Sequence, residues 1–229
     1  MKGAIIIPTY NEATNIQNAL DRLQALRKGW LVIVSDGGSI DNTLTLAKPG
    51  CDVIVQAALG RASQQNEGAL KAREILGLNG ILVFLHADTR LPHDFEAVMS
   101  KFLHTGRQWG RFDVRLSGNA RVFRLIEFMI NQRSRLSGIA TGDQTLFFRS
   151  EFFWQLNGFP MLPLMEDVEI SKRAKGFAKP FCAMEQVVTS SRKWEKEGVL
   201  KTITLMWWCR FAYFIGVRAQ TIHRWYYGR

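Results

Sequence analysis

Three short polar clusters, each following an apolar run, hold the residues of this sequence that are best suited to chemistry. They are TYNE at residues 9–12, SDGGS at residues 35–39 and HAD at residues 86–88. A carboxylate at a strand end can accept a hydrogen bond from a nucleobase N–H, and one carboxylate with phosphate oxygens and water suits Mg²⁺ or Mn²⁺. The clusters therefore predict a ligand-binding site, provided that the fold brings them together.

Two further acidic segments lie in the second half of the chain. Glu166 and Asp167 form an acidic pair in MEDVE, and Asp143 lies in GDQ. Carboxylates in such positions can act as general bases that remove a proton from a hydroxyl group. Two acids at a helix start can equally well stabilise the positive end of the helix dipole. Both interpretations are compatible with the sequence.

The elements that position these clusters follow from the hydrophobic pattern. Apolar runs that begin near residues 4, 31, 53 and 81 predict buried strands, and the periodicity over 11–26, 63–76 and 165–176 predicts helices. The segment GDQTLFFRSEFF, residues 142–153, predicts a further strand that leads into a helix. Near-continuous apolar strands that alternate with helices are typical of a mostly parallel sheet with helices on both faces. Ligands of such sheets bind beyond the carboxyl ends of the strands, which is where the three clusters fall.

Composition and charge narrow the class of protein. The 229 residues fit one large domain, and three scattered cysteines without a CxxC pair favour a reduced, cytoplasmic setting. Residues 1–98 hold nine Lys and Arg against ten Asp and Glu, whereas the remainder holds 21 against 10. A basic half attracts anionic lipid, phosphate or nucleic acid, or is simply a solvated face. Because the chain has no nucleic-acid motif, we expect no nucleic-acid partner.

Taken in order, the motifs PTYNE, SDGGSIDNT, HAD, GDQ and LMEDVE resemble the signature of family 2 glycosyltransferases. The resemblance runs from Ala4 to roughly Trp194, and the segments GRASQQNEGA and FLHADTRLP resemble a small bacterial branch of that family. It implies an α/β fold of the GT-A type, with a mostly parallel central sheet, helices on both faces and a helical C-terminal extension. It also implies one domain, in which residues 1–98 bind a nucleotide sugar, 99–194 form the acceptor and catalytic half, and 195–229 form the extension.

The resemblance places PTYNE against the nucleoside of the donor. Pro8, Thr9, Tyr10 and Glu12 would form this contact, with Tyr10 near the base and Glu12 near the ribose. A strand followed by a helix start also presents free backbone N–H groups to such a ligand. The alternative is that this segment is only a helix cap, formed by Asn11 or Thr14.

Two more motifs are implied to contact the donor. Asp36 and Gly37 would lie beside the base, although Ser35 stands where the family often has a first aspartate. The alternative is that Asp36 only accepts hydrogen bonds within its own glycine-rich turn. Arg61 and Asn66 would lie near the sugar diphosphate, since a guanidinium pairs well with phosphate; the alternative for Arg61 is an ordinary surface arginine.

The resemblance makes HAD the metal motif, with Ala87 beside the donor and Asp88 as the ligand of Mn²⁺ or Mg²⁺. His86 stands where the family pattern has its first carboxylate. This histidine could bind the metal, orient Asp88 or simply pack.

The resemblance also assigns the acceptor side of the reaction. Asp167 would be the general base of an inverting transfer, Glu166 would hold the acceptor or support the loop, and Asp143 is the second candidate for the base. In SSRKWEKEG, Arg192, Lys193 and Trp194 resemble a basic–aromatic element that closes over the diphosphate or the acceptor, with Arg192 contacting the leaving diphosphate. The alternative for Arg192 is an amphipathic surface turn.

The C-terminal segment is rich in aromatic and basic residues, among them Arg210, Arg218, Arg224 and Arg229. This composition predicts a peripheral protein at the inner face of an anionic membrane and a lipid-linked acceptor. The alternatives are a helix packed into the domain and a homodimer interface.

Two other functions remain open at this stage. One is a nucleotidyltransferase, although the turn after the first strand lacks the glycine-rich, basic phosphate loop of that class. The other is a non-catalytic module that binds nucleotides or membranes, which would leave Asp36, Asp88 and Asp167 without a role.

Overall fold

The computed structural model describes residues 2–228. Its strands are β1 (Gly3–Thr9), β2 (Trp30–Asp36), β3 (Val53–Gln56), β4 (Ile81–Phe84), β5 (Trp109–Leu116), β6 (Leu146–Arg149) and β7 (Phe181–Thr189). Within this part of the chain the seven strands form one sheet, in the order β3-β2-β1-β4-β6-β5-β7. Strand β6 runs antiparallel to its neighbours β4 and β5, and the other pairings are parallel.

Helices connect and cover these strands. They are α1 (Ile16–Leu23), α2 (Thr43–Ala47), α3 (Arg61–Leu76), α4 (Phe95–His104), α5 (Arg121–Ser137), α6 (Ser150–Gln155), α7 (Glu166–Phe177), α8 (Arg192–Glu197), α9 (Val199–Phe214) and α10 (Ala219–Tyr227). Short 3₁₀ segments cover Gln24–Lys28 and Gly142–Gln144.

The sheet is buried on both faces, as the pattern of β1 shows. Ile5 and Ile7 pack with α1 and α4 on one face, whereas Ala4 and Ile6 pack with α3, α6 and α7 on the other. Helix α3 lies very close to β1, because a Cβ added to Gly68 would come within 2.4 Å of the Ile6 side chain. The α/β fold with a mostly parallel sheet and helices on both faces is therefore confirmed.

Strands β5 and β7 were not predicted from the hydrophobic pattern. Strand β5 contains Arg111 and Asp113, which read as surface residues but are buried and paired with each other. Arg135 of α5 forms a second ion pair with Asp113. Because these charges neutralise one another, a central strand can carry them, and the apolar pattern that identifies the other strands is broken.

Helices α8–α10 pack against α5, the end of β5 and one another. Trp194 of α8 lies with Phe123 and Ile126 of α5, and Cys209 of α9 lies with Ile222 of α10. The opposite sides of α9 and α10 expose a set of side chains that we call the α9–α10 aromatic surface: Trp207, Trp208, Phe211, Phe214 and Trp225. None of the helices formed by residues 2–228 combines the length and apolar content needed to cross a bilayer. Arg229, one of the basic residues singled out in the sequence, lies outside the described residues.

Candidate active site

The strand directions bring the sequence motifs to one edge of the sheet. The carboxyl ends of β1, β2, β4 and β7 point to this edge, and the antiparallel β6 begins there, so the Gly142–Gln144 segment before β6 joins them. A cleft of about 720 Å³ opens at this edge. The predicted site residues that line it are Pro8, Thr9, Tyr10, Glu12, Arg61, His86, Ala87, Asp88 and Asp143.

The PTYNE segment is fixed to the loop after β2 by hydrogen bonds. The Asn11 backbone N–H donates to Ser39 Oγ at 2.8 Å, and Asn11 Oδ1 accepts the Ile40 N–H at 3.0 Å. Asn11 is in the left-handed region, with φ of 54°, where asparagine is tolerated. It therefore closes a loop and does not cap α1, which begins only at Ile16. The same loop leaves Tyr10 exposed in the cleft.

Asp36 lies beneath the loop that follows β2 and is fully buried. One carboxylate oxygen accepts the hydroxyls of Thr9 at 3.0 Å and Ser39 at 2.6 Å, and the other accepts the N–H groups of Gly38 at 2.9 Å and Ser39 at 2.7 Å. Neither Asp36 nor Gly37 lines the cleft. These contacts favour the alternative in which Asp36 organises its own turn.

Helix α3 holds two predicted residues in different surroundings. Arg61, its first residue, lines the cleft and is open to solvent there. Asn66 lies outside the cleft, where its side-chain amide pairs with the backbone of Phe159: Nδ2 donates to the carbonyl at 2.8 Å and Oδ1 accepts the N–H at 2.9 Å. Asn66 thus anchors the loop at Phe159 to α3.

The end of β4 and the segment before β6 meet at His86. The Nδ1 atom of His86 is 3.6 Å from an Asp143 carboxylate oxygen. Its Nε2 faces Gly142, where an added Cβ would come within 2.8 Å. Burial and the positive charge of Arg61 lower the pKa of His86, which favours the neutral ring. With both ring nitrogens directed at residues 142–143, the structure favours packing and orientation over metal ligation for His86.

The acidic pair lies at the start of α7, directly behind residues 142–144. Asp167 accepts the Gly142 N–H at 2.7 Å through Oδ2 and the Val168 N–H at 2.7 Å through Oδ1. Glu166 is buried, and burial together with the charge of Asp167 raises its pKa to about 7, against an opposing effect of Arg61. Neither carboxylate lines the main cleft.

The segment after β7 brings basic residues to the cleft. Arg192 donates to Asn15 Oδ1 at 3.1 Å and to Ser190 Oγ at 3.0 Å, so it braces the rim and does not line the cleft. Its neighbour Lys193 does line it, and the Lys193 ammonium lies 3.6 Å from the centre of the Tyr226 ring. Lys193, and not Arg192, is therefore placed to contact an anion that binds in the cleft.

Several lining residues were not predicted. They are Leu59, Gly60, Gln64, Pro163, Leu164, Thr189, Ser190, Thr202, Met206, His223, Tyr226 and Tyr227. Lys193 and Trp194, which also line the cleft, belong to the basic–aromatic element predicted around Arg192. Tyr226 and Tyr227 carried no signal of a cleft position in the sequence, where the aromatic tail suggests a membrane, a partner or the core, and only the fold returns α10 to the cleft.

The carboxylate oxygens in the cleft suit a metal ion that a bound substrate also coordinates. Residues 2–228 contain no cluster of three or more metal-binding side chains. Asp88 is nevertheless exposed in the cleft, with only a 3.3 Å contact to the Thr89 hydroxyl. Mg²⁺ and Mn²⁺ are commonly held by one or two carboxylates together with substrate phosphates and water. The site therefore suits a divalent cation that binds together with a diphosphate.

Known proteins share this architecture. The family model for glycosyl transferase family 2 matches residues 4–158. No curated protein matches the chain closely enough to count as a relative.

Among solved structures, TarS residues 1–349 from S. aureus gives a TM-score of 0.63 at 16% identity, covering 83% of this chain and 61% of that one. The mannosyltransferase PcManGT from Pyrobaculum calidifontis was solved with GDP-Man and Mn²⁺. It has a TM-score of 0.60 at 20% identity, and the match covers 82% of this chain and 56% of that one. Glucosyl-3-phosphoglycerate synthase from Mycobacterium tuberculosis, solved with Mn²⁺, UDP and glucosyl-3-phosphoglycerate, has a TM-score of 0.57 at 20% identity, and the match covers 82% of this chain and 69% of that one.

The chain thus spans less than two thirds of the TarS structure. These structural similarities concern the fold, whereas the family match covers more than half of the sequence, including Pro8–Thr9, Arg61 and His86–Asp88 of the cleft. The chain belongs to glycosyl transferase family 2.

Proposed function

We propose that this protein is an inverting glycosyltransferase, which moves a sugar from a nucleotide-diphosphate sugar to an acceptor hydroxyl. One observation carries the proposal. The cleft at the carboxyl edge of the sheet joins an exposed carboxylate, Asp88, to a cationic residue, Arg61, and to the acidic residue Asp143. A metal-binding carboxylate, a phosphate-binding cation and a carboxylate that can act as a general base are the groups that such a transfer needs.

The donor is proposed to lie along the cleft from β1 to α8. Tyr10 and Glu12 would contact the nucleoside, and Arg61 and Lys193 the diphosphate, which guanidinium and ammonium groups bind by charge-assisted hydrogen bonds. Asp88 would hold Mn²⁺ or Mg²⁺, which when bound neutralises charge on the leaving diphosphate. Relatives in fold were solved with Mn²⁺ and UDP or GDP-Man, which supports this donor class.

The acceptor side is proposed to centre on Asp167. The acceptor oxygen attacks the anomeric carbon, the bond from that carbon to the diphosphate oxygen breaks, and the hydroxyl proton passes to a carboxylate. The hydrogen bonds from Gly142 and Val168 fix Asp167 in place and leave lone pairs on each oxygen. Asp143 is the second candidate because it lines the cleft itself.

We further propose that the protein works on the cytoplasmic side of an anionic membrane and that its acceptor is lipid-linked. The α9–α10 aromatic surface supports this, because exposed tryptophan and phenylalanine suit the headgroup region. Exposed Lys201, Arg218 and Arg224 on or beside the same helices add the charge that draws a protein to anionic lipid. A homodimer formed through this surface is the competing arrangement.

The test is a binding and transfer assay. Calorimetric titration with UDP and with GDP, in the presence and absence of Mn²⁺, is expected to show binding that Mn²⁺ strengthens. A screen of UDP- and GDP-sugars should then show release of the nucleoside diphosphate together with transfer of the sugar. Release of pyrophosphate from a sugar phosphate and a nucleoside triphosphate would instead show a nucleotidyltransferase. Nucleotide binding without any turnover would favour a non-catalytic module.

A further inference from the structure

A second cavity of about 180 Å³ lies between α5 and α9. Its walls are mostly apolar, formed by Ile126, Met129, Ile130, Ile203, Met206 and Trp207. Trp194 and Met206 line both this groove and the main cleft, so the two spaces adjoin. Whatever occupies the groove can therefore extend toward the proposed reaction centre.

Two arginines also face this groove, Arg133 from α5 and Arg210 from α9. The Nε and Nη2 atoms of Arg133 are buried, and the described residues offer them no hydrogen-bond partner. Other arginines of the same helix are paired: Arg124 with Glu127 and Arg135 with Asp113. Buried N–H donors of a cation are costly when they have no partner, so the two unpaired nitrogen atoms of the half-buried Arg133 indicate a missing anion.

Electrostatics supports an anion at this position. Burial and the neighbouring charge of Arg210 lower the pKa of Arg133 to about 9, against opposing effects of Asp167 and Asp143. Burial likewise lowers the pKa of Arg210, and Asp167 and Asp143 again oppose it. The two guanidinium groups thus repel each other while lying within electrostatic range of the proposed base. A phosphate between them would relieve the repulsion and satisfy the free donors.

The apolar walls indicate what the anion is attached to. A free phosphate would gain nothing from a wall of isoleucine and methionine, whereas a hydrocarbon chain would. Helices α5 and α9 carry further exposed apolar side chains, Leu125, Phe128, Trp208 and Phe211. The groove therefore lies between two helices whose outer sides also favour an apolar environment.

We propose that this groove binds the acceptor, a phosphate-bearing lipid, with its hydrocarbon against the α5 and α9 side chains, its phosphate between Arg133 and Arg210, and its hydroxyl directed toward Asp167. The proposal rests on the transferase function proposed above. It adds no reactant to that reaction, since the same hydroxyl oxygen attacks the anomeric carbon and the same proton passes to the carboxylate.

The test uses decyl phosphate as the probe, below its micelle concentration, with binding measured by calorimetry. Inorganic phosphate and a neutral decyl tetraethylene-glycol ether are the comparison ligands. Decyl phosphate is expected to bind at least about tenfold more tightly than either, because each comparison ligand lacks one of the two interactions. Equal binding of inorganic phosphate would identify a site for the free anion and overturn the lipid assignment, as would the absence of decyl phosphate binding.

Variants locate the site. R133Q and R210Q are each expected to weaken decyl phosphate binding by about tenfold or more, the usual loss for a hydrogen bond to a charged group. R121Q removes an exposed arginine from the first turn of the same helix and is expected to leave this binding unchanged. I203W fills the apolar groove without changing charge and should also weaken binding. Equal effects of R133Q and R121Q would show that only net charge matters and would overturn the proposal.

Titration of UDP with Mn²⁺ on the same variants separates this inference from the proposed function. If the unmodified protein binds UDP but does not bind decyl phosphate, the lipid site alone is refuted. If the unmodified protein does not bind UDP, the transferase proposal itself is refuted.

Discussion

The Asp167 carboxylate accepts a 2.7 Å hydrogen bond from the backbone N–H of Gly142, a residue 25 positions earlier in the chain. The contact joins the first turn of α7 to the 3₁₀ segment that precedes β6. A Cβ on Gly142 would lie 2.8 Å from His86 Nε2 and 3.7 Å from Asp167 Oδ2. Three motifs that are far apart in sequence therefore meet at one glycine.

Replacing this glycine should damage catalysis more than donor binding. In Gly142→Ala the added methyl group overlaps the His86 ring, so either the ring or the 3₁₀ segment must move, and the hydrogen bond to Asp167 is disturbed. We expect kcat to fall by about tenfold or more, since catalytic geometry tolerates little displacement, while UDP affinity changes little. Steady-state kinetics and calorimetry measure the two effects.

Gly176→Ala is the matched control for this substitution. Gly176 lies in α7, and a Cβ there meets nothing within 4 Å. Alanine is the better helix former, so this variant should gain up to about 1 kcal/mol in stability and keep full activity. If Gly142→Ala is as active as this control, the contact between Gly142 and His86 has no catalytic role.

The sequence predicted the arrangement around Gly142 only in outline. The clusters at His86–Asp88 and at residues 9–12 could be predicted because each follows an apolar strand, and parallel strands bring their carboxyl ends together. Residues 142–144 reach the same edge for the opposite reason, since β6 is antiparallel. Strand direction depends on pairing across the sheet, which hydrophobic periodicity along a single strand does not encode.

The roles of individual side chains were harder to predict. Asp36 and Asp88 both lie at the ends of buried strands, yet Asp36 accepts three hydrogen bonds from its own loop and one from Thr9, whereas Asp88 faces the cleft. Asn66 similarly binds the backbone of Phe159, 93 positions away. Such partners are distant in sequence or depend on loop geometry, so residue type and local spacing cannot distinguish a ligand contact from a loop closure.

Asp88 should account for the effect of metal on nucleotide binding. Asp88→Asn keeps the size of the side chain but removes the charge that would hold Mn²⁺ beside the diphosphate. We expect UDP or GDP affinity in this variant to be the same with and without Mn²⁺, while thermal unfolding stays near that of the unmodified protein because Asp88 is exposed. Asp94→Asn alters an exposed aspartate outside the cleft and should retain the full metal effect. If Mn²⁺ still strengthens nucleotide binding in Asp88→Asn, a residue other than Asp88 is the metal ligand.

Asp167→Asn should stop transfer with donor binding nearly intact. A general base contributes about 10²–10⁴ in rate, so kcat is expected to fall by that factor. The amide oxygen of asparagine can still accept the Gly142 N–H, so the contact to the 3₁₀ segment should survive, whereas the hydrogen bond from the Val168 N–H is lost. Asp143→Asn is the comparison, since Asp143 lines the cleft beside His86. If Asp143→Asn instead lowers kcat more and Asp167→Asn stays active, Asp143 is the base.

Glu166 should make the stability of the protein depend on pH. Its pKa of about 7 in the folded state exceeds the ordinary value of 4.5, because burial and the charge of Asp167 disfavour the ionised form. The folded protein thus binds this proton more tightly than the unfolded chain does. The resulting stabilisation is complete below the unfolded pKa and is lost as the pH rises through about 7.

Glu166→Gln tests this linkage because glutamine does not ionise. The free energy of unfolding of the variant, relative to the unmodified protein, should increase by up to about 3 kcal/mol on going from about pH 5 to about pH 8. Denaturant titrations at both pH values measure the difference. Glu151→Gln, at an exposed position of α6, should show no such change. A constant difference between Glu166→Gln and the unmodified protein would mean that Glu166 ionises normally.

The α9–α10 aromatic surface should bind anionic membranes in a salt-dependent manner. Each basic residue near such a surface contributes about 1 kcal/mol, and Lys201, Arg218 and Arg224 are exposed on or beside α9 and α10. Burying an exposed phenylalanine in the headgroup region adds roughly 1.5–3 kcal/mol. Phe211 and Phe214 are exposed by 54% and 86%. Co-sedimentation should therefore show binding to vesicles rich in phosphatidylserine at low salt, weaker binding at high salt, and little binding to neutral vesicles.

The double variant Phe211→Ser with Phe214→Ser is expected to reduce this binding by about tenfold or more, from the apolar area that it removes. Phe177→Ser is the control, because Phe177 is 79% exposed but lies at the end of α7 and not on the α9–α10 aromatic surface. A sedimentation-velocity run at the same protein concentrations shows whether the surface forms a dimer instead. A dimer that the double variant dissolves, together with no vesicle binding at low salt, would assign the surface to self-association, because the same side chains would then be buried against a second copy.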